Sequence, residues 1–159
     1  MSDHGIQGLS ITSIEELENI KKDCQSTIKR YAMASAATSV LPLPGIDIAA
    51  DLTVIYKMFS VIKENYGLDM VNPSTLEHYG ALAPLVRSVF NFVTKDGIMK
   101  LVAHYAPKYI GKKYAAKYVP IIGQGVAAVA GYKLATFLGK KYSDDCYKLC
   151  VKILKNQSH

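Results

Sequence analysis

The sequence predicts an all-α protein: a compact single-domain bundle of about seven helices, built around two apolar helical hairpins that each turn at a Pro/Gly corner. Three observations predict it. Apolar residues recur three and four apart, the helical period, and no segment sustains the alternation of a strand. Ser-x-x-Glu starts and Pro/Gly stops divide the chain at helix-like intervals. Of 159 residues, half are hydrophobic and only 20% charged, against about 25% charged in an ordinary soluble domain. A chain of this size buries about two thirds of its unfolded surface and needs no disulfide or metal to hold it.

Residues 1–12 read as a flexible tail, and the helical domain is expected over 13–159. Ser13-Ile14-Glu15-Glu16 has the form of a capping box, in which the hydroxyl and the carboxylate each accept from an otherwise unpaired amide. The first helix then carries Ile14, Leu17, Ile20, Cys24, Ile28 and Tyr31 and continues into the small-residue run Ala32–Thr38. It must end near Leu41, since Pro42 and Pro44 remove donors and restrict the residues before them.

A second helix follows Gly45 and runs to about Tyr66, with Gly67 as its stop. At about 100° per residue, Thr53, Lys57, Ser60 and Glu64 form one polar stripe on an otherwise apolar surface, the pattern of a central buried helix. Ser74-Thr75-Leu76-Glu77 is a second capping box and opens a helical stretch to about Thr94, with a kink at Pro84. Asp96–Tyr105 is a short helix. Pro107 starts a basic helix to about Tyr118. Pro120 and Gly123 mark a turn before an apolar helix ending near Tyr142, and Ser143-Asp144-Asp145 starts or continues a last helix to about Lys155.

One internal repeat is visible. The segment 41–50 (LPLPGIDIAA) lies over 119–128 (VPIIGQGVAA), so that Pro42/Pro120, Gly45/Gly123, Ala49/Ala127, Ala50/Ala128 and Phe59/Phe137 coincide. Each copy is a Pro/Gly corner feeding an apolar helix, and two such hairpins could pack with approximate two-fold symmetry. The uncharged runs Tyr31–Ile46 and Tyr118–Tyr132 are shorter than the roughly 20 residues a span needs, and both contain proline. That favours a soluble core, then reversible insertion, over a stable span.

Charge points outward. The net charge is +6. Of 19 basic residues 17 are Lys, with Arg30 and Arg87 the exceptions. Lysine suits a solvated face or an anionic surface, whereas base or phosphate readout favours the planar fork of Arg. Lys108, Lys112, Lys113 and Lys117, with Tyr105 and Tyr109 between them, therefore read as a solvated face or as a membrane contact in which rings sit among headgroups and amines meet anionic lipid. Single-stranded nucleic acid is the weaker alternative, and no specific nucleic acid is expected.

Gly123, Ala127, Gly131, Ala135 and Gly139 lie four apart and make a groove into which another helix can pack closely, inside the domain or between copies. Asp51 sits one turn inside its helix among Val54, Ile55 and Met58, where a buried carboxylate must be paired, hydrogen-bonded or protonated.

Catalysis finds no support. His78 and His104 lack partners in a known motif, and neither Gly111-Lys112-Lys113 nor Gly139-Lys140-Lys141 makes a phosphate loop. Cys146 and Cys150 share a helix face as small apolar fillers, without the further ligands a metal needs. No cofactor, metal or catalytic residue is expected. Three cysteines and a start without signal-peptide character predict a reducing, cytoplasmic setting.

The corner Leu41-Pro-Leu-Pro-Gly-Ile-Asp-Ile-Ala-Ala-Asp51 with its helix to Tyr66-Gly67-Leu68, and the later stretch Val119-Pro-Ile-Ile-Gly123 through Leu138 to Asp144/Asp145, resemble the helical domain of immunity-related (interferon-inducible) GTPases. They are also similar to the helical hairpin of bacterial membrane-associated families. The resemblance spans roughly residues 30–155. The nucleotide-binding domain of those GTPases is absent, so GTP binding and hydrolysis do not carry over. The resemblance implies an all-helical module for membrane or partner association, with a role in cell-autonomous defence.

Together these readings predict a non-catalytic module that docks peripherally on an anionic membrane or a protein partner, with homo-oligomers among its states. The alternative is a carrier holding an apolar small molecule between its helices, for which eleven tyrosines and five methionines would supply an adaptable lining.

Overall fold

A computed structural model describes residues 9–39, 46–76, 80–91, 93–105 and 122–157. Their regular secondary structure is all helical, with no strand among the described residues. The α-helices are α1 (Ile14–Ser39), α2 (Ile46–Asn65), α3 (Pro73–Leu76), α4 (Ala83–Val86), α5 (Lys95–Tyr105) and α6 (Ile122–Gln157). The prolines of both corners and the expected basic helix fall on 40–45 and 106–121, outside the described residues.

Local chemistry sets the element ends. At the start of α1 the Glu16 amide donates to Ser13 Oγ and the Glu16 carboxylate accepts from the Thr12 amide, both at 3.1 Å. This is the expected capping box, with its return bond shifted back by one residue. The packed body reaches further back than the expected boundary at 13: Ile11 is buried and Leu9 packs against the core.

The chain leaves α2 through Gly67, whose φ of 70° lies in the left-handed region that side chains with a Cβ disfavour. The next cap differs from expectation. Asn72 Oδ1, not Ser74, accepts from the Ser74 amide at 3.0 Å, and it also takes the Ser74 hydroxyl at 2.8 Å. Pro73 then occupies the first helical position, where its missing donor costs nothing.

The single kinked stretch expected up to Thr94 is instead broken. A 3₁₀ turn (Gly80–Leu82) leads into α4, and a π-turn (Arg87–Asn91) follows it. Pro84 near the α4 start interrupts the donor ladder. Thr94 Oγ1, accepting from the Gly97 amide at 3.0 Å, caps α5.

Helix α6 is continuous over 36 residues, about 54 Å at 1.5 Å per residue. Ser143 thus continues the helix rather than starting a new one. Its outer face is laced by the pairs Lys141–Asp145 and Lys148–Asp144, at 3.6 and 3.0 Å.

Three long helices carry the core. The pairs Glu18–Tyr147 and Ile28–Gly139 show that α1 runs antiparallel to α6. Met58–Gly139 and Tyr66–Ser143 show that α2 runs parallel to it. Helix α1 buries a narrow seam of Leu17, Cys24, Thr27, Ile28, Ala32 and Ser35, while the expected core residue Ile14 is exposed. Helix α2 buries Ile55, Met58, Phe59 and Ile62, and Tyr66 just past its end is buried too, but Tyr56 is 42% exposed, so α2 is covered on one side rather than all round.

The repeat does not extend to equivalent packing. Phe59 is buried and stacks on Tyr142, ring centroids 4.2 Å apart and 5° from parallel. Its counterpart Phe137 is 40% exposed.

Candidate functional site

Of the small-residue row, Gly131, Ala135 and Gly139 are buried. A Cβ on Gly139 would lie 2.9 Å from Met58 Sδ and 3.0 Å from both γ-carbons of Ile28. This half of the row is where α1 and α2 close on α6. The pattern continues through Ser143, Cys146 and Cys150, also buried; these are small polar and sulfur side chains that a Gly/Ala pattern leaves out. Gly123, Ala127 and Asp51 lie in described helices, but their side chains and burial fall outside what the structure describes, as does the Tyr105 side chain; Lys108, Tyr109, Lys112, Lys113 and Lys117 lie outside the described residues.

Several polar groups in the core pair with one another, while the buried Thr136 Oγ1 has no partner among the described residues. The Tyr66 and Ser143 hydroxyls are 3.1 Å apart. The Tyr142 hydroxyl donates to the Val89 carbonyl at 2.8 Å, which ties the π-turn to α6. Cys150 Sγ sits 3.8 Å from the Tyr66 carbonyl, and Cys24 Sγ accepts from the Asn65 amide group at 3.8 Å.

All three cysteines are free and buried. Burial pushes the Cys24 thiol up, the Cys146 thiol far up, and the Cys150 thiol up to about 12. Thiols held protonated are poor nucleophiles and poor metal ligands, and no group of three or more His, Cys, Asp or Glu among the described residues is arranged for a metal. Burial likewise raises the Tyr66 and Tyr142 phenols. A cavity of about 40 Å³ beside Phe59, Leu101 and Tyr142 has room for ordered water and not for an apolar ligand.

One outward-facing feature among the described residues is a groove of about 410 Å³ between α1 and α6. Lys21 and Gln25 line it from α1, Lys140, Lys141 and Asp144 from α6, and Ile28 and Phe137 give it an apolar floor. Lys21 Nζ sits 4.7 Å from the centroid of the Tyr147 ring, whose hydroxyl donates to Glu18. Lys141 pairs with Asp145, Asp144 pairs with Lys148, and Lys140 has no ion pair among the described residues. Sequence reading missed this site, because Lys21 and Lys140 are more than a hundred positions apart and meet only through the α1/α6 packing.

No helix among the described residues is long and apolar enough to cross a membrane. No curated protein and no solved structure matches the chain. Over residues 9–152 it matches a family described as a domain of unknown function (DUF697), and it belongs to that family.

Proposed function

We propose that this protein is a non-catalytic helical module that associates peripherally with anionic membrane surfaces from the cytoplasmic side. The observation that carries this reading is the lysine-lined, apolar-floored groove of about 410 Å³ between α1 and α6, on a chain of net charge +6 that has 17 Lys and two Arg. Clustered lysines give a diffuse positive field suited to a lipid surface, each worth about 1 kcal/mol near anionic headgroups. The segment 105–118, with its four lysines and tyrosines, adds a second basic element of the same character.

The finer architecture belongs to the same proposal: about seven helices, with Pro/Gly corners at 42–45 and 120–123 turning two hairpins. So does the kinship in pattern with the helical domain of immunity-related GTPases, and with it self-association and a role in defence.

Vesicle flotation tests the proposal. The full chain should float with phosphatidylserine–phosphatidylcholine vesicles at about 0.1 M salt. It should be released at about 1 M, where the Debye length falls from about 10 to 3 Å, and it should stay off pure phosphatidylcholine. Equal binding to neutral vesicles, or no binding to either, would reject the proposal.

A further inference from the structure

We infer that the protein docks on an anionic membrane by one end of its α1/α6 layer, the end at which α1 finishes and α6 begins, with the long axis of the bundle inclined to the surface. The inference rests on the membrane reading above and goes further by fixing which end meets the lipid.

The observation is a charge polarity created by packing. The acids of α1 are Glu15, Glu16, Glu18 and Asp23, all in its first half, and those of α6 are Asp144 and Asp145, both past its midpoint. Helix α1 runs antiparallel to α6, as the Ile28–Gly139 and Glu18–Tyr147 contacts show. Both acidic stretches therefore fall at one end of the layer, and both acid-free stretches, 24–39 and 122–143, fall at the other. Parallel packing would have cancelled the polarity.

The acid-free end carries Lys29, Arg30, Lys133, Lys140 and Lys141. Lys141 is paired with Asp145. The other four are exposed and have no acidic partner among the described residues. At the opposite end Lys21, Lys22, Lys148, Lys152 and Lys155 are set against the six acids just named. The formal charges of the two ends of the layer are thus +5 and −1. Asp47 and Asp51 of α2, which runs parallel to α6, lower the surplus and do not reverse it.

Screening makes this polarity an orienting force. Helix α1 has 26 residues and is about 39 Å long, so the middles of the two ends lie about 20 Å apart. That is about two Debye lengths at 0.1 M salt. A surface held against one end is hardly felt at the other, and only the acid-free end is drawn to negative charge. Its cations are spread over two helices rather than gathered round a pocket. A bilayer answers that spread, because its anionic headgroups move laterally to meet each charge. Nucleic acid draws on arginine forks and stacked rings, and three of these four cations are lysines. Exposed apolar side chains do not decide the matter, since α1 shows one at each end: Met33 is 58% and Ile14 45% exposed.

That pair supplies the test. The chain has no tryptophan, so Met33→Trp and Ile14→Trp each introduce a single indole, at sites about 28 Å apart along α1. With phosphatidylserine–phosphatidylcholine vesicles carrying a dansylated headgroup, energy transfer from the indole should be several-fold stronger for Met33→Trp. Lys29→Gln/Lys133→Gln should weaken vesicle binding about 30-fold, from two cations at about 1 kcal/mol each. Lys100→Gln/Lys152→Gln removes equal charge from α5 and from the acidic end of α6, and should weaken binding by no more than a few-fold.

Equal transfer from the two indoles, stronger transfer from Ile14→Trp, or equal losses from the two double variants would overturn the orientation while leaving membrane association standing. Tighter binding to a polyglutamate peptide than to the vesicles, lost in Lys29→Gln/Lys133→Gln, would overturn it in favour of an acidic protein partner. Absence of any vesicle binding would overturn both.

Discussion

Replacing Gly139 by alanine sets two effects against each other. Alanine is favoured over glycine within a helix by about 1 kcal/mol. The new methyl, however, would sit 2.9 Å from Met58 Sδ and 3.0 Å from two carbons of Ile28. Met58 can swing away, since its side chain is flexible. Ile28 cannot readily do so, because branching at its β-carbon fixes the rotamer. Overpacking of this kind costs about 1–3 kcal/mol, so Gly139→Ala should destabilise by about 1 kcal/mol net, a drop in Tm of roughly 2–4 °C for a chain of this size. Gly80 is the control. A Cβ there meets nothing within 4 Å and its φ is not positive, so Gly80→Ala should gain about 0.4–1 kcal/mol. Urea unfolding of both variants, with Ile28→Ala added to complete a double-mutant cycle, reads the steric contribution directly. A Gly139→Ala protein as stable as the Gly80→Ala protein, or zero coupling to Ile28, would refute the close approach of α1 and α2 to α6.

Two further outcomes follow from the core. Tyr142→Phe keeps the stack on Phe59 but leaves the buried Val89 carbonyl without its donor; it should cost about 1–3 kcal/mol in urea unfolding, and a loss near zero would sever the link between the π-turn and α6. Alkaline pH should destabilise the protein, because the thiols are raised in the folded state, Cys150 from about 9 to about 12. The unfolded chain then loses protons first, and stability falls from about pH 9 upward by up to about 1.4 kcal/mol per pH unit for each such thiol. Urea midpoints at pH 8 and 10 check this, and a Cys150→Ala variant with an unaltered slope would count against it.

Much of the fold was legible because its signals are local. Ser13 with Glu16 marks the start of α1, Gly67 ends α2 at a positive φ, and the three- and four-residue spacing of Leu17, Ile20, Cys24 and Ile28 marks the inward face of α1. Competing local signals were not resolved by pattern. Ser74-x-x-Glu77 reads as a helix start, but the structure caps this helix from Asn72, ahead of Pro73. The π-turn within 80–91 is held to α6 by the bond from Tyr142 to Val89, a contact made across 53 positions that no local pattern announces. The groove was invisible for the same reason: Lys21, Phe137 and Lys140 belong to no common motif, and only the antiparallel packing of α1 on α6 unites them. Likewise Phe59 and Phe137, equivalent in the repeat, differ in burial because Phe59 meets Tyr142 while Phe137 flanks the groove.

Amine footprinting on the full chain, with and without phosphatidylserine vesicles, tests most directly whether the lysine groove is the working face. Lys21 and Lys140 should acylate several-fold more slowly when vesicles are present, while Lys57 and Lys100 keep their rates. Uniform labelling of all four lysines, or protection confined to Lys57 and Lys100, would contradict the account.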